Sequence, residues 1–372
     1  MKMKLVFQRA ELAAALQTVA AVVPSKTTKD ILKNVKLQVS AGVASLTGTD
    51  GEMGLRRELS VTADGEGAAL LPTARMLMIL REMSADDFRL ETGDGALWIR
   101  CGSSEFRLST EEVGDFPPVA KFEDSDYFTM KAGALRQLIR RTSFATDMES
   151  TRYALGGAQF DIQAGTVTMA ATDSRRLAVA HDACGAVGSP LLPGGAPVFP
   201  NKLLTVLERC LSDAGDEDVR LAIHKNDVAI QIGPMTATSQ LLQGRFPDWR
   251  KVVPQQFTVT VDMVAAPLHS ALRQAMVVTN EESRGVDFSF AKGRLRLGSK
   301  ASEIGQSTIE VPIAYEAAEI KVTLDPRYII DFLKAVDGGS LIVVKLISCE
   351  DPVVLTCGES YSYVAMPLSR DR

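Results

Sequence analysis

Thr49-Asp50 and Phe116-Pro117 recur later in the chain as Thr172-Asp173 and Phe246-Pro247. The first pair recurs after 123 residues and the second after 130. A third series marks the corresponding place in each third of the 372 residues: Leu71-Pro72, Phe199-Pro200 and Asp325-Pro326. Self-similarity at a fixed step indicates a repeated unit, and a unit of this length is large enough to bury a core of its own. The sequence therefore predicts three copies of one domain, with boundaries at 1–125, 126–255 and 256–372.

Each copy contains two segments with helical periodicity. Each copy is expected to begin with a helix, whose apolar positions are spaced three or four residues apart, as in Leu12, Leu16 and Val19. A second helix is expected after each residue of the proline series, with proline in its first turn: 73–83, 201–211 and 327–336. Between the helices, alternating segments such as Val35–Val39 predict strands separated by Gly, Asp and Asn turns. The predicted class is α+β, with two helices on an antiparallel sheet in each domain.

Composition excludes several classes of protein. The first nine residues mix charged and apolar side chains, which argues against a signal peptide. No segment has the roughly 20 uncharged apolar residues that a membrane span requires. The five cysteines are scattered, and the three histidines lie far apart in sequence, so that no zinc-ligand spacing is present. We expect a soluble cytoplasmic protein with no metal and no cofactor.

The net charge of −5 argues weakly against a polyanion as partner, but the positive charges are concentrated in the predicted helices. Lys131, Arg136, Arg140 and Arg141 cluster in the first predicted helix of the second copy, where Arg136 and Arg140 are expected to share a face opposite Leu138. Basic residues also occur in the other predicted helices: Arg75, Arg81, Lys202, Arg209, His269, Arg273, Arg327 and Lys334. Taken singly, such residues are ordinary solvent-facing charges. If all the helices face one way, their charges form a positive lining suited to phosphate contacts without base recognition.

Five segments, taken in order along the chain, carry a family resemblance: Arg152–Gly157, Ala171–Ala178, Gly244–Pro254, Asn280–Val286 and Tyr363–Leu368. Together they resemble the bacterial sliding clamps, the beta subunits of DNA polymerase III. The resemblance implies three domains of the DNA clamp type, and a head-to-tail homodimer whose six domains close a ring around double-stranded DNA. It also implies a processivity factor, not an enzyme. Its expected partners are the polymerase III catalytic subunit, the clamp loader, and other polymerases and repair proteins that bind through short peptide motifs.

The resemblance also implies residues that face DNA. Lys26, Arg75, Glu149 and Lys202 fall at or near such positions. Glu149 departs from the family, which often has an uncharged amide there, and a carboxylate near phosphates is expected to repel. The charge pattern alone adds four further candidates: Arg136, Arg140, Arg273 and Arg327.

A second implied site is an apolar cleft for short peptides on the second and third domains. The matching positions are Leu155, Thr172, Ser174, Arg175, Arg176, Leu177, Pro247, Lys251, Val252, Val364, Met366, Pro367 and Leu368. For Leu155 and Leu177, taken singly, ordinary core packing is the favoured interpretation, whereas for Met366-Pro367-Leu368 the cleft is favoured. The family commonly has Gly-His where this chain has Ser174-Arg175, and this chain ends in Ser369–Arg372. We expect a more cationic rim that prefers peptides with an acidic flank.

Two other functional classes remain open from the residues alone. Asp173 with the basic pair Arg175-Arg176 and His181 could form an acid and base pair, and Gly156-Gly157 could belong to a phosphate loop. No nucleophile elbow, Walker motif or metal-ligand cluster accompanies them. The other alternative is a repeat scaffold that binds only proteins.

Overall fold

Each third of the chain repeats one order of strands and helices in the computed structural model, which describes residues 3–93, 95–149, 154–212, 214–280, 284–302 and 304–368. The first copy runs β1 (Lys4–Gln8), α1 (Arg9–Ala20), β2 (Asn34–Ser40), β3 (Val43–Thr49), β4 (Met53–Ser60), β5 (Thr62–Asp64), β6 (Gly67–Pro72), α2 (Thr73–Glu82), β7 (Asp87–Gly93), β8 (Ala96–Cys101) and β9 (Ser104–Ser109).

The second copy follows the same order. It runs β10 (Tyr127–Lys131), α3 (Ala132–Thr142), β11 (Gly157–Gln163), β12 (Thr166–Thr172), β13 (Arg176–Ala183), β14 (Gly185–Val187), β15 (Val198–Pro200), α4 (Asn201–Cys210), β16 (Asp218–Ile223), β17 (Asp227–Ile232) and β18 (Met235–Gln240).

The third copy differs by one short strand, since the residues described there form no counterpart of β5 and β14. It runs β19 (Val259–Val264), α5 (Ala265–Ala275), β20 (Val286–Ala291), β21 (Arg294–Ala301), β22 (Gly305–Pro312), β23 (Ile320–Leu324), α6 (Pro326–Lys334), β24 (Leu341–Leu346), β25 (Val353–Thr356) and β26 (Tyr361–Ala365). The predicted two helices on antiparallel sheet are present in every copy.

The chain divides into two compact units, and each contains two antiparallel sheets. One unit comprises Met1–Gly133, Gly185–Gly194 and Thr205–Leu241. Its sheets have the orders β5-β1-β7-β8-β9 and β14-β10-β16-β17-β18-β4-β3-β2-β6. In the second sheet β18 of the second copy pairs with β4 of the first, so that Ser239 lies opposite Met53.

The other unit comprises Ala134–Cys184, Gly195–Leu204 and Leu242–Arg372. Its sheets have the orders β15-β11-β12-β13-β26-β25-β24-β19 and β22-β21-β20-β23. Here β13 of the second copy pairs with β26 of the third, and Leu177 lies opposite Val364. Because strand pairing continues from one copy into the next in both units, the boundaries at 1–125, 126–255 and 256–372 stay a prediction.

The start of each copy corrects the sequence analysis. A strand (β1, β10 or β19) precedes the first helix of every copy, which was predicted to come first. Pro72 and Pro200 also differ from expectation, because each is the last residue of a strand and lies just before its helix. Both strands, β6 and β15, are at the edge of a sheet, where a missing N–H costs least. Only Pro326 occupies the first helical turn as predicted, and Asp325 caps that helix by accepting from the Arg327 N–H.

The helices bury the predicted apolar stripes. In α1 the residues Leu12, Leu16 and Val19 are fully buried, and the helix packs on β3, β4 and α2. The corresponding stripe of α5 includes the buried Leu268 and Leu272. Pro267 lies in the first turn of this helix, where proline is tolerated. Among the described residues no helix is long and apolar enough to cross a membrane.

Candidate functional site

A tight turn between β12 and β13 builds the centre of the cleft. Thr172 Oγ1 donates to the Arg176 carbonyl at 2.6 Å and accepts from the Ser174 N–H at 3.1 Å. Asp173 Oδ1 accepts from the backbone N–H groups of Arg175 and Arg176 at 3.0 and 2.9 Å. Ser174 has a φ of 71°, in the left-handed region that side chains other than glycine rarely adopt. The Thr-Asp pair is therefore a turn-forming device that fixes the backbone of the two arginines.

The first copy contains the same turn. Thr49 Oγ1 donates to the Met53 carbonyl and accepts from the Gly51 N–H, at 2.8 and 3.0 Å. Asp50 Oδ1 accepts from the N–H groups of Glu52 and Met53 at 2.9 and 2.8 Å. The repeat detected in the sequence is thus a repeated set of hydrogen bonds. In the second copy this turn is combined with two arginines and lines the cleft described next.

The cleft is a cavity of about 210 Å³ whose wall comes from the second and third copies. Its lining residues are Thr172, Ser174, Arg175, Arg176, Leu177, Pro247, Trp249, Val252, Val364 and Met366. Leu177 and Val364 also belong to the buried core beneath it, together with Leu155 and Phe246. Core packing was the favoured interpretation for two leucines: Leu155 lies in this core and does not line the cleft, whereas Leu177 lies in the core and also lines the cleft. An apolar floor with a polar rim suits short peptides with apolar anchors.

Three predicted cleft residues lie near this wall without lining it. Lys251 is the last residue of the short 3₁₀ turn Trp249–Lys251, and it pairs with Asp248 at 2.9 Å. Pro367 and Leu368 continue the chain beyond Met366, and the Leu368 N–H donates to the Thr323 carbonyl. Residues 369–372, expected to add charge to the rim, lie outside the described residues, as do Arg152, Tyr153 and 281–283 of the segments that carry the resemblance.

Sequence reasoning missed Trp249 as a lining residue. Its indole N–H donates to Gln159 Oε1 at 3.1 Å, which holds the ring in the wall of the cleft. The signal was present, because Trp249 lies between Pro247 and Val252, which were both predicted to line the site.

Arg176 is half-buried, and its charge is compensated within the protein. Its guanidinium contacts Asp173 Oδ2 at 2.9 Å and Asp331 Oδ2 at 2.7 Å, and it donates to the Phe144 carbonyl. The rings of Phe144 and Tyr328 lie 5.4 and 4.7 Å from it. Burial disfavours its charge, but the Tyr363 hydroxyl and the two carboxylates outweigh burial and raise the pKa of Arg176. Arg176 therefore connects β13 to α6 and supplies no free charge to the rim.

Asp173 is also occupied by hydrogen bonds, so it does not form the acid and base pair that the sequence left open. Both of its carboxylate oxygens accept from Arg176 or from the turn backbone. His181 lies farther along β13, opposite Thr168 on β12. No group of His, Cys, Asp and Glu that could hold a metal ion occurs in the part of the chain that the structure describes.

The basic helices are less uniform than the sequence suggested. Lys131 is the last residue of β10 and pairs with Asp218 at 2.9 Å, so it is not part of α3. Arg141 donates to Ser360 Oγ, and its guanidinium lies 5.1 Å from the Tyr361 ring. Arg136 is half-buried, and its Nε has no hydrogen-bond partner in the structure. Of the three arginines in α3, Arg140 is exposed, whereas Arg136 and Arg141 are half-buried.

The other predicted DNA-facing residues are all exposed: Lys26, Arg75, Glu149, Lys202, Arg273 and Arg327. Lys26 follows α1, and Glu149 lies in the segment after α3. Arg75 and Lys202 are on the first turns of α2 and α4, and Arg273 is on the last turn of α5. Arg327 differs from these residues, because its guanidinium donates twice to the buried Asp325, at 3.0 and 2.6 Å. Its positive charge is therefore largely compensated.

Models of three protein domains match successive parts of the chain. They are described as the N-terminal, central and C-terminal domains of the DNA polymerase III beta subunit, and they match residues 3–120, 129–248 and 250–369.

Relatives of similar length support this match. The beta sliding clamp of Proteus mirabilis is 30% identical over 370 residues, with 98% of this chain and 100% of the relative covered. That of Escherichia coli K12 is 29% identical, with the same coverage. Among solved structures, a Pseudomonas aeruginosa DnaN sliding clamp bound to griselimycin has a TM-score of 0.90 at 27% identity, covering 99% of this chain and 100% of that one. The C. crescentus beta sliding clamp has a TM-score of 0.89 at 28% identity, with the same coverage.

Proposed function

This chain belongs to the DNA polymerase III beta subunit family, the beta sliding clamps, and we propose that its exposed helix cations face duplex DNA while its apolar cleft takes partner peptides. As a clamp it is a processivity factor and not an enzyme: it holds the polymerase on DNA. The family assembles as a homodimeric ring. We place this protein in the cytoplasm, where bacterial DNA is replicated.

The observation that carries the proposal for partner peptides is the cleft around Thr172–Arg176. Its apolar wall joins residues far apart in the chain, from β13, the 249–251 turn and β26, and its floor is continuous with a buried core. A site whose floor is part of a packed core loses little conformational freedom of its own when it binds a short peptide. The polymerase catalytic subunit, the clamp loader, other polymerases and repair proteins are the proposed occupants.

DNA contact is proposed for the exposed cations on or next to the helices, with Lys26, Arg75, Arg140 and Arg273 as the principal residues. Lys202 on α4 belongs to the same set. Arg136 and Arg327 are weaker candidates, because the first is half-buried and the second is bonded to Asp325. Glu149 is exposed, and its carboxylate weakens phosphate contact. Such contacts are sequence-independent and decline with salt.

The test of ring function is retention on circular nicked DNA after loading by a competent clamp loader. We expect the protein to stay on the circle in salt that weakens phosphate contacts, and to be lost when the circle is linearised. Equal retention on both forms would show direct binding and overturn the clamp mechanism. Absence from both forms would favour a scaffold that binds only proteins.

A charge-reversal series tests the DNA-facing residues separately. Arg140→Glu and Arg273→Glu are expected to weaken binding to a short duplex at low salt and to reduce the slope of log K against log salt by about 1 each. Lys292→Glu is the control, because Lys292 is an exposed cation on the β20–β21 turn, where it contacts Glu316 at 3.0 Å. An equal effect of all three reversals would show that only net charge matters and would contradict the assignment.

A further inference from the structure

The cations around the cleft are mostly neutralised by acids of the protein itself. Arg176 is paired with two carboxylates, as described above. Lys251 contacts Asp248 at 2.9 Å, and Arg250 contacts Asp161 at 2.6 Å. A cation that already has a carboxylate partner gains little from a second one on a ligand. The cationic rim expected from the sequence is therefore much reduced.

Arg175 is the exception, because its side chain is exposed and lines the cleft. Its backbone is fixed on both sides: its N–H donates to Asp173 Oδ1 at 3.0 Å, and its carbonyl accepts from the Met366 N–H at 2.9 Å. The Tyr328 hydroxyl, followed by Asp173 and Asp325, raises the pKa of Arg175. A neutral hydroxyl is not a counter-charge for the guanidinium.

The two carboxylates nearest to Arg175 are engaged elsewhere. Asp173 accepts from Arg176 Nε at 2.9 Å. Asp325 is 1% exposed, and it accepts both hydrogen bonds from Arg327. The lining residues of the cleft include no acid of their own. Among the described residues Arg175 thus has no ion pair of its own, and its charge lies in the lining of an apolar site.

We propose that Arg175 determines specificity in this cleft by pairing with an acidic residue that flanks the apolar anchor of the bound peptide. The inference rests on the proposed function of the cleft as a peptide site. Leu177, Val252 and Val364 receive the apolar anchor, and the guanidinium at the rim selects the charge beside it. Ligands with an aspartate or glutamate next to the anchor therefore bind more tightly than their amide counterparts.

The experiment compares two fluorescent peptides with the same apolar anchor, one flanked by Asp and Glu and the other by Asn and Gln. Fluorescence anisotropy with the full-length protein is expected to give about fivefold tighter binding of the acidic peptide at low salt, and a smaller ratio at high salt. Arg175→Gln is expected to bring the ratio close to one, and Arg175→Lys to restore part of it. Lys292→Gln removes an exposed charge that is paired with Glu316 and is not part of the cleft lining, and it is expected to keep the wild-type ratio.

The possible results separate the inference from the function on which it rests. Equal binding of both peptides by the wild type would overturn the role of Arg175 and leave the peptide cleft intact. A ratio that survives Arg175→Gln, or that Lys292→Gln removes equally, would also overturn it. Binding of neither peptide would overturn both the inference and the peptide cleft, whereas retention on circular DNA would still test the clamp itself. Thermal unfolding of each variant verifies that it is folded.

Discussion

At the scale of single residues, Ser174 is the clearest departure from local backbone preference. It occupies the left-handed region in a turn whose first-copy counterpart has Gly51, with a φ of 100°. Ser174→Gly is expected to stabilise the protein by about 0.5–1 kcal/mol. The reason is that a left-handed residue other than glycine costs about 1–2 kcal/mol, which exceeds the roughly 0.5–1 kcal/mol entropy cost of glycine. Urea unfolding measures the change.

The converse change provides the control. An added Cβ at Gly51 would meet no atom within 4 Å, so Gly51→Ser tests the backbone alone and is expected to destabilise. If Ser174→Gly destabilised the protein instead, the serine side chain would have to make a contact worth more than the backbone strain.

His224 gives a prediction for pH. Its Nε2 lies 2.9 Å from Asp124 Oδ1 and its Nδ1 lies 2.7 Å from Asp227 Oδ1, and these two carboxylates, Asp124 first, raise the pKa of His224 above 6.5. A group whose pKa is raised on folding stabilises fully below its unfolded pKa, and this contribution is lost as pH rises through the folded pKa. The stability difference between wild type and His224→Gln is therefore expected to be largest near pH 6 and to shrink above it.

Urea midpoints of both proteins across this range measure the effect. His224 is partly exposed, so the difference is expected to be modest and to fall with added salt. A difference that does not change with pH would show that the imidazole acts by packing and not by charge.

At the scale of elements, Arg176 holds β13 against α6. Arg176→Met is expected to destabilise the protein by about 2–4 kcal/mol, because it leaves Asp173 and Asp331 without their shared cation. Arg100→Met is the matched control: Arg100 also contacts two carboxylates, but its side chain is 44% exposed, against 12% for Arg176. Its expected cost is at most about 1 kcal/mol.

Urea unfolding of both variants checks this prediction, and Arg176→Met combined with Asp331→Asn is expected to recover part of the loss. Equal costs for Arg176→Met and Arg100→Met would contradict it, because burial would then make no difference.

How well the sequence predicts an interaction depends on how far apart the interacting residues are along the chain. The stripe of α1 and the bonding of the turn at Thr172-Asp173 are local, and local patterns revealed both the helix and the repeat. The state of Arg141 is not local, because it depends on Ser360, 219 residues away in sequence. For the same reason the sequence suggested that Arg176 was a rim cation, since Asp331 lies 155 residues farther along the chain. The family resemblance, and not a local pattern, indicated the cleft residues, and it did not reveal the charge balance among them.

At the scale of the whole molecule, a ring needs contact between copies of the chain, and sheet edges are natural places for it. β9 is the last strand of its sheet, and β22 is the last strand of another. Unpaired edge strands are ready templates for strands of a second chain. A head-to-tail dimer that joins the first copy of one chain to the third copy of the other would bring these two edges together.

The hydrogen bonds of β9 allow a specific test of this arrangement. The Thr110 N–H donates to the Gly95 carbonyl, and Arg107 lies opposite Trp98 in the same ladder. Because N–H groups alternate in direction along an antiparallel strand, the Arg107 N–H points away from the sheet. Arg107→Pro removes that donor while keeping the internal ladder, and proline is accepted at such edge positions.

We expect Arg107→Pro to weaken the dimer at least about fivefold, since one lost backbone hydrogen bond is worth about 1 kcal/mol. Sedimentation velocity over a dilution series measures the dimer dissociation constant. Arg107→Thr is the control, because it also removes the guanidinium from the Trp98 ring but keeps the N–H and suits a strand. If the threonine variant weakened the dimer as much as the proline variant, the side chain and not the strand edge would hold it. If neither variant changed the dimer, β9 would not be the contact edge, and the ring would have to close through another surface.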